Sequence, residues 1–317
     1  MPISVLLTEH YHPVLLKTLR KWEEIRLIHI ENPHPEALYC VLPEIHIWVL
    51  RGAVEVNEAL LSRASRLRVL IRVGSGIEHI DRRAVRRRGI RLYRTPQANA
   101  AAVAEYVIAA LISLSRRFLP AHHALRESDR WERRASVGRE LSSLKVGIIG
   151  FGENGSRTAY LLSTLGAQVL VYDRYKGGFG GRGIREASLK EIFREVEALS
   201  LHIPLTPLTR GWVDANFFGC FHHPIAFINA SRGEIVVLSD LLAALEEGRV
   251  WGAALDTFPT EPPQNLPPEQ LIAWEKLRRH PAVLLTPHIA GVSQESEWRL
   301  ARAVLVLLRS LLKGSKP

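Results

Sequence analysis

KVGIIGFGENGSRTAYLLSTLGAQVLVYD, residues 145–173, decides the fold. An apolar run of strand length leads into Gly150-x-Gly152-x-x-Gly155, a helix-length stretch follows, and a second apolar run ends at Asp173. Gly150 allows a tight turn, Gly152 lets the backbone approach a pyrophosphate, and Gly155 lets helix and strand pack closely. The helix start adds unpaired N–H groups and the positive end of its dipole. In a chain with 22 glycines the triplet alone is weak evidence. Framed by strand, helix and a terminal acid, it reads as a dinucleotide site. Asp173 is expected to accept hydrogen bonds from the adenosine ribose and to repel a 2′-phosphate, which favours NAD over NADP, while Arg174 pulls the other way.

Outward from this segment, apolar runs of strand length alternate with longer runs of helical period, the pattern of an α/β protein with mainly parallel sheets. Before it, ISVLLTE (3–9), IHIWVL (45–50), RVLIRVG (68–74) and IRLYRT (90–95) read as strands, with HPVLLKTLRKW among the intervening helices. NAAAVAEYVIAALISLSRR (99–117) reads as a long helix, and the polar stretch after it as a connection between two domains. Beyond it, QVLVYD, ALSLHI, IAFINA, WGAALD and VLLTPHI continue the strand series. KGGFGGRG (176–183) reads as a flexible connection, because no helix start follows it. The amphipathic stretch 296–313 is expected to be a final helix packed on the first unit.

A chain of 317 residues, 47% apolar, is long enough for two domains with separate cores. No stretch approaches the roughly 18 apolar residues of a membrane helix, and the opening MPISVLLTEHYHPVLL lacks a basic leader and cleavage site, so a cytoplasmic protein is expected. Cys40 and Cys220 fit no metal-ligand or redox spacing; no metal site is expected, and both are assigned to the core. The net charge of +10 draws attention to RRAVRRRGIR (82–91). Its arginines sit at helical spacing among apolar residues with no aromatics to stack bases, so a solvated helix face is expected and nucleic-acid binding is not.

Seven segments carry a resemblance to a known family: RVGSGIEHID (72–81), TPQANAAAVAEY (95–106), VGIIGFGENG (146–155), SLHIPLTPLT (200–209), INASRGEIV (228–236), AALDTFPTEPP (253–263) and TPHIAG (286–291). In this order, over nearly the whole chain, they resemble the D-2-hydroxyacid dehydrogenases. The resemblance implies two Rossmann-like, doubly wound parallel-sheet domains with the active site in a cleft: an NAD-binding domain over 98–285, inserted into a substrate domain of 1–97 plus 286–317. It implies that Arg232 holds the substrate's carboxylate and keto oxygen, that His288 is the general acid/base and that Glu261 is its partner. Asp256 would hold the nicotinamide amide, near Ala230 and Ser231. Glu153, Asn154, His202, Pro204 and Gly291 would complete the cofactor contacts, and the backbone of Val73 and Gly74 would meet the carboxylate. Asn154 departs from the family, which usually has an apolar residue there; little change is expected, because the position contributes mainly backbone.

The chemistry asks for the same residue types. Hydride loss from C2 of a hydroxy acid requires loss of the hydroxyl proton, which a positioned histidine takes near neutral pH. A carboxylate suits the planar fork of an arginine.

Within the family the pattern is closest to the phosphoglycerate dehydrogenases. Arg51 in WVLRGAVEVN and Arg72 in LIRVGSG stand at positions similar to phosphate-binding arginines there. The expected reaction is the interconversion of 3-phosphoglycerate and 3-phosphohydroxypyruvate in serine biosynthesis, with reduction of glyoxylate, hydroxypyruvate or another unphosphorylated 2-keto acid as the alternative. Formate dehydrogenase is disfavoured, since those relatives carry Gln where Glu261 stands. No regulatory C-terminal domain is expected after the final helix. The resemblance further implies a homodimer, with Trp131 in ESDRWERR a candidate anchor. A function of another class, an NAD(H)-sensing scaffold or corepressor-like protein that retains Arg, Glu and His, is the remaining alternative.

Overall fold

The computed structural model describes residues 2–128, 131 and 133–314. It divides into two compact units, Met1–Asn99 with Val292–Pro317, and Ala100–Gly291.

The first unit runs β1 (Ile3–Thr8), α1 (Pro13–Leu19), β2 (Ile25–Ile30), α2 (Pro35–Val41), β3 (Ile47–Leu50), α3 (Glu58–Arg63), β4 (Val69–Arg72), α4 (Arg82–Arg87) and β5 (Arg91–Arg94). All strands are parallel, in the order β2-β1-β3-β4-β5, so the winding reverses between β1 and β3. Both faces of the central strands are covered, as parallel sheets require. Leu6, Trp48 and Leu70 pack with Leu38, Leu61 and Ala84 on one side; Val5, Val49 and Ile71 pack with Leu15 and Leu19 on the other. On α4, Ala84 and Val85 are buried while Arg82, Arg83, Arg86, Arg87 and Arg88 face solvent. Glu58 alone pairs Arg87 and Arg88, at 2.7 and 2.5 Å.

The second unit opens with α5 (Ala100–Ser115) and α6 (Phe118–Ser128), then β6 (Lys145–Ile149), α7 (Glu153–Thr164), β7 (Gln168–Tyr172), β8 (Ile184–Glu186), α8 (Leu189–Glu195), β9 (Ala198–Leu201), α9 (Ala215–Gly219), β10 (Ile225–Asn229), α10 (Leu238–Glu246), β11 (Val250–Leu255), α11 (Pro268–Leu277) and β12 (Val283–Leu285). Its seven parallel strands are ordered β12-β11-β10-β9-β6-β7-β8, with the reversal between β6 and β9. Val103, Val107 and Leu111 of α5 close one face over Val146, Ile148 and Ile228. The chain returns to the first unit as α12 (Gln294–Leu312), whose Leu300, Val304 and Leu308 fill the core beside α1.

Several expectations need correction. Cys40 and Cys220 are exposed, on the outer side of α2 and at the cap of α9, where helix position overrides the tendency of cysteine to be buried. The chain leaves the second unit at Gly291 and not at 285, because the segment from Thr286 to Ala290 is tied to Asp256. The polar connection after α5 holds a helix, α6. β2 and β8, read through as spacers, are edge strands whose apolar pattern Arg26, His29 and Arg185 interrupt. Residues 176–183 fold back on β8: the Glu186 carboxylate takes the Gly178 amide at 2.7 Å, and Phe179 stacks on Phe151 with ring centroids 4.2 Å apart. Trp131 is 81% exposed, while its neighbours Asp129, Arg130 and Glu132 lie outside the described residues. Among the described residues no helix is long and apolar enough to cross a membrane.

Candidate active site

The turn after β6 lies at the strand-order reversal of the second unit. Gly150 has φ +100, and a Cβ there would strike the His202 carbonyl; a Cβ on Gly155 would overlap the Gly150 carbonyl. These two glycines are required by the protein's own packing. Gly152 is different: a Cβ on it would meet no atom within 4 Å. The protein leaves that space, and the start of α7 faces it with Gly152 as a cap that has no side chain to occupy the free amides. Asn154 buries its Oδ1 without a partner among the described residues, an acceptor in the first turn that a nucleotide can satisfy. The loop therefore fits a dinucleotide, with Gly152, Glu153 and Asn154 placed to meet it.

Asp173 follows β7. Its Oδ2 accepts the Phe151 amide at 2.7 Å, and its Oδ1 accepts the amides of Tyr175 and Lys176 at 2.8 and 3.0 Å. It thus shapes the glycine loop. The Lys176 ammonium donates to the Phe151 carbonyl at 2.8 Å. His202 follows β9, with Nε2 at 3.0 Å from the Ser200 hydroxyl; burial pushes its pKa down to about 4, so the ring is neutral. The Pro204 carbonyl accepts the Thr209 hydroxyl at 2.8 Å and fixes the next turn.

Three further strand ends carry the candidate chemistry. After β10, buried Asn229 donates to the Arg232 carbonyl at 2.9 Å and accepts the Ser231 amide and hydroxyl at 3.1 and 2.7 Å, folding Ala230, Ser231 and Arg232 into a fixed turn. Arg232 donates to the Ser231 carbonyl at 2.6 Å. A Cβ on Gly233 would overlap the Phe258 backbone, so the Arg232 turn and the loop after β11 lie in direct contact. After β11, Asp256 is fully buried. Its carboxylate accepts the Thr286 hydroxyl at 2.6 Å and the amides of Ile289 and Ala290 at 2.8 Å each. Tyr106 of α5 reaches Thr286 at 2.7 Å from the other side.

His288, after β12, has φ +56, a left-handed conformation uncommon outside glycine. Its Nδ1 lies 2.7 Å from Glu261 Oε2, and Glu261 Oε1 accepts the Phe258 amide at 3.2 Å. Burial, which alone would raise the Glu261 pKa, is outweighed by the hydrogen bond and charge of His288, the Phe258 amide and the charge of Arg232, so the carboxyl is held below its ordinary range. Burial drives Asp256 upward against the bonds from Thr286, Ala290 and Ile289. The structure thus brings Arg232, Glu261 and His288 together on the second unit. Gly291 closes that unit, three residues beyond His288.

The expected substrate residues on the first unit are already engaged. Arg51 follows β3 and forms a two-pronged pair with Glu297 of α12, at 2.8 and 2.5 Å. Arg72 turns its guanidinium back onto the Val73 carbonyl. The Val73 amide donates to Leu50 at 2.8 Å and the Gly74 amide to the Thr95 hydroxyl at 2.8 Å. The first of these bonds continues the sheet and the second ties the turn after β4 to Thr95. Residues that sequence inspection missed are Asn229, Thr286, Tyr106 and Glu297. Only Asn229 had a signal, as a polar residue closing an apolar strand three positions before Arg232.

Comparison with known proteins agrees with this geometry. Residues 108–290 match the family described as D-isomer specific 2-hydroxyacid dehydrogenase, NAD binding domain. A D-3-phosphoglycerate dehydrogenase of Synechocystis sp. is 31% identical over 276 residues, covering 86% of this chain and 48% of that protein. The Homo sapiens D-3-phosphoglycerate dehydrogenase is 28% identical over 98% of this chain and 57% of its own length. The chain therefore spans about half the length of the curated relatives it matches. A D-lactate dehydrogenase from Aquifex aeolicus, solved with NAD and lactic acid, superposes with a TM-score of 0.87 at 25% identity, covering 98% of this chain and 96% of that one.

Proposed function

Because the chain belongs to the D-isomer specific 2-hydroxyacid dehydrogenase family, we propose that it interconverts a small 2-hydroxy acid and its 2-keto acid with NAD as the hydride carrier. The observation that carries this is the Glu261–His288 pair at 2.7 Å beside Arg232, on the unit that also bears the glycine loop. Glu261 takes Nδ1 and fixes the ring, which leaves Nε2 to exchange a proton with the substrate oxygen. Arg232 grips the carboxylate and polarises the C2 oxygen. NAD, when bound, supplies the hydride acceptor in oxidation and, reduced, the donor in the reverse. In reduction His288 gives its proton to the oxygen that becomes the hydroxyl; in oxidation it takes that proton back. Asp256 holds the His288 turn, and Gly150, Gly152 and Gly155 admit the pyrophosphate.

The finer expectation, 3-phosphoglycerate, draws support from the names of the relatives and from the presence of Arg51 and Arg72. By resemblance those two guanidinium groups would receive a phosphorylated tail, and both are engaged within the chain. That observation favours the unphosphorylated alternative, in the class of glyoxylate, pyruvate or hydroxypyruvate. A homodimer using the region around exposed Trp131, placed in the cytoplasm, belongs to the same proposal. The test is NADH oxidation against a panel of 2-keto acids. Turnover of at least one, lost in His288→Ala with NADH binding retained, supports the proposal; NADH binding without turnover of any would refute it.

A further inference from the structure

The net charge of the chain is concentrated in one stretch. From Glu58 to Arg94 eleven arginines stand against Glu58, Glu78 and Asp81, a net +8 of the +10 that the whole sequence carries. The stretch folds as α3, β4, α4 and the edge strand β5 of the first unit. Arg82, Arg83, Arg86, Arg87, Arg88 and Arg91 are exposed along α4 and into the start of β5. The Asp81 carboxylate is occupied as the cap of α4, where it accepts the Arg83 and Ala84 amides at 3.0 and 2.9 Å. Glu58 is divided between Arg87 and Arg88. Among the described residues the guanidinium groups of Arg82, Arg83, Arg86 and Arg91 form no hydrogen bond or ion pair.

A helix face that has only to be wet does not need this pattern. Arginines four apart, Arg82 with Arg86 and Arg83 with Arg87, repel one another across a turn and weaken the helix. Soluble surfaces ordinarily intersperse both signs, whereas a field of one sign acts on a partner of the other. Two observations define that partner's chemistry. From Glu58 to Arg94 no large apolar side chain is exposed, so the face offers nothing to enter a lipid layer or to stack on an unpaired base. It also already seats a carboxylate: Glu58 takes Arg87 with one oxygen at 2.7 Å and Arg88 with the other at 2.5 Å. Successive turns of α4 repeat every 5.4 Å or so, and alternate side chains of an extended peptide lie about 6.6 Å apart, a difference that the flexible arginine stems absorb.

We propose that the arginine face of α4 and the start of β5 is a docking surface for an acidic polypeptide segment, whose Asp or Glu side chains pair Arg82, Arg83, Arg86 and Arg91 as Glu58 pairs Arg87 and Arg88.

The probe is a fluorescein-labelled polyglutamate peptide of about twelve residues, long enough to span α4 in extended form, titrated with the full chain and followed by anisotropy at low ionic strength. The parent should bind it and release it as salt is raised. Replacing Arg82, Arg83, Arg86 and Arg91 together with Gln should weaken binding by about tenfold or more, since exposed pairs are individually modest but four act together. Removing as many charges at Lys17, Arg20, Lys21 and Lys313, exposed elsewhere on the same unit, should weaken it by at most about twofold. Glu58→Gln frees Arg87 and Arg88 and should tighten binding severalfold; Glu44→Gln, which frees Arg26 on another face of the unit, should not. Equal losses in the two charge-removal variants, no binding by the parent, or tighter binding of a DNA duplex of equal charge or of phosphatidylserine vesicles would each overturn the assignment. Should the arginine variant fail to fold, the comparison of Glu58→Gln with Glu44→Gln decides: tighter binding in the first alone supports the assignment, and equal affinities overturn it.

Discussion

Asp256 holds His288 through the backbone on both sides: its carbonyl accepts the His288 amide at 2.8 Å, and its carboxylate takes the amides of Ile289 and Ala290. These bonds keep a non-glycine residue in a left-handed conformation that costs it on the order of 1 kcal/mol. Asp256→Asn should therefore damage both stability and turnover. The new amide has to point an N–H at a backbone N–H of Ile289 or Ala290, leaving donors facing donors in a buried site, at a cost of about 2 kcal/mol. Urea unfolding should show that loss, with kcat for 2-keto acid reduction reduced well beyond it. A variant as stable and as active as the parent would show that the turn does not depend on this carboxylate.

Asp173 should govern the choice of cofactor. Replacing it with Ser removes a charge that would repel a 2′-phosphate and leaves Arg174 and Lys176 on the same loop. The ratio of kcat/KM with NADPH to that with NADH should rise by about two orders of magnitude, since a like-charge contact costs several kcal/mol. Absolute activity with NADH should fall as well, because the carboxylate also takes the amides of Phe151, Tyr175 and Lys176. An unaltered parent that already prefers NADPH would contradict this account of Asp173.

His202 should make stability depend on pH. Its pKa falls from the ordinary 6.5 to about 4 on folding, through burial, so protons bind the unfolded chain first as pH drops. The stability it contributes is complete above the unfolded value and is lost as pH falls from 6.5 toward 4. Between pH 7.5 and 5 the loss is about 2 kcal/mol by proton linkage. His202→Asn should flatten that part of the stability curve in urea titrations at several pH values. A variant that loses stability on acidification as steeply as the parent would assign the loss to other groups.

The second unit was legible because its signals are local. Gly150, Gly152 and Gly155 sit inside one strand-turn-helix segment, and apolar runs mark the central strands, which are buried on both faces. Arg232, Glu261 and His288 stood out only through resemblance, since nothing in their spacing brings three separate strand ends together. What joins them is tertiary: Gly233 against Phe258, and Asp256 across to the 286–290 turn. Edge strands β2 and β8 were lost because one solvated side breaks the apolar run. The Arg51–Glu297 pair spans 246 positions and had no sequence signal at all.

In the proposed chemistry the proton passes through His288, with Glu261 behind it. Reduction would draw on the protonated ring, which donates to the oxygen developing charge, and oxidation on the neutral ring. Against the burial that alone would raise it, the hydrogen bond and charge of His288 help hold the Glu261 carboxyl below its ordinary range, so an ionised carboxylate faces the ring. Glu261→Gln keeps an acceptor for Nδ1 but removes the charge. The pH profile of reduction should then move relative to the parent's, and that of oxidation with it, with a reduced maximum if the ring is less well oriented. The two side chains are 50% and 38% exposed and share their field with water, which weakens the attraction between them. Paired pH–rate profiles of kcat/KM in the two directions provide the check. If both profiles keep their midpoints in the Gln variant, Glu261 does not act through the charge it places beside His288, and the 2.7 Å contact only orients the ring.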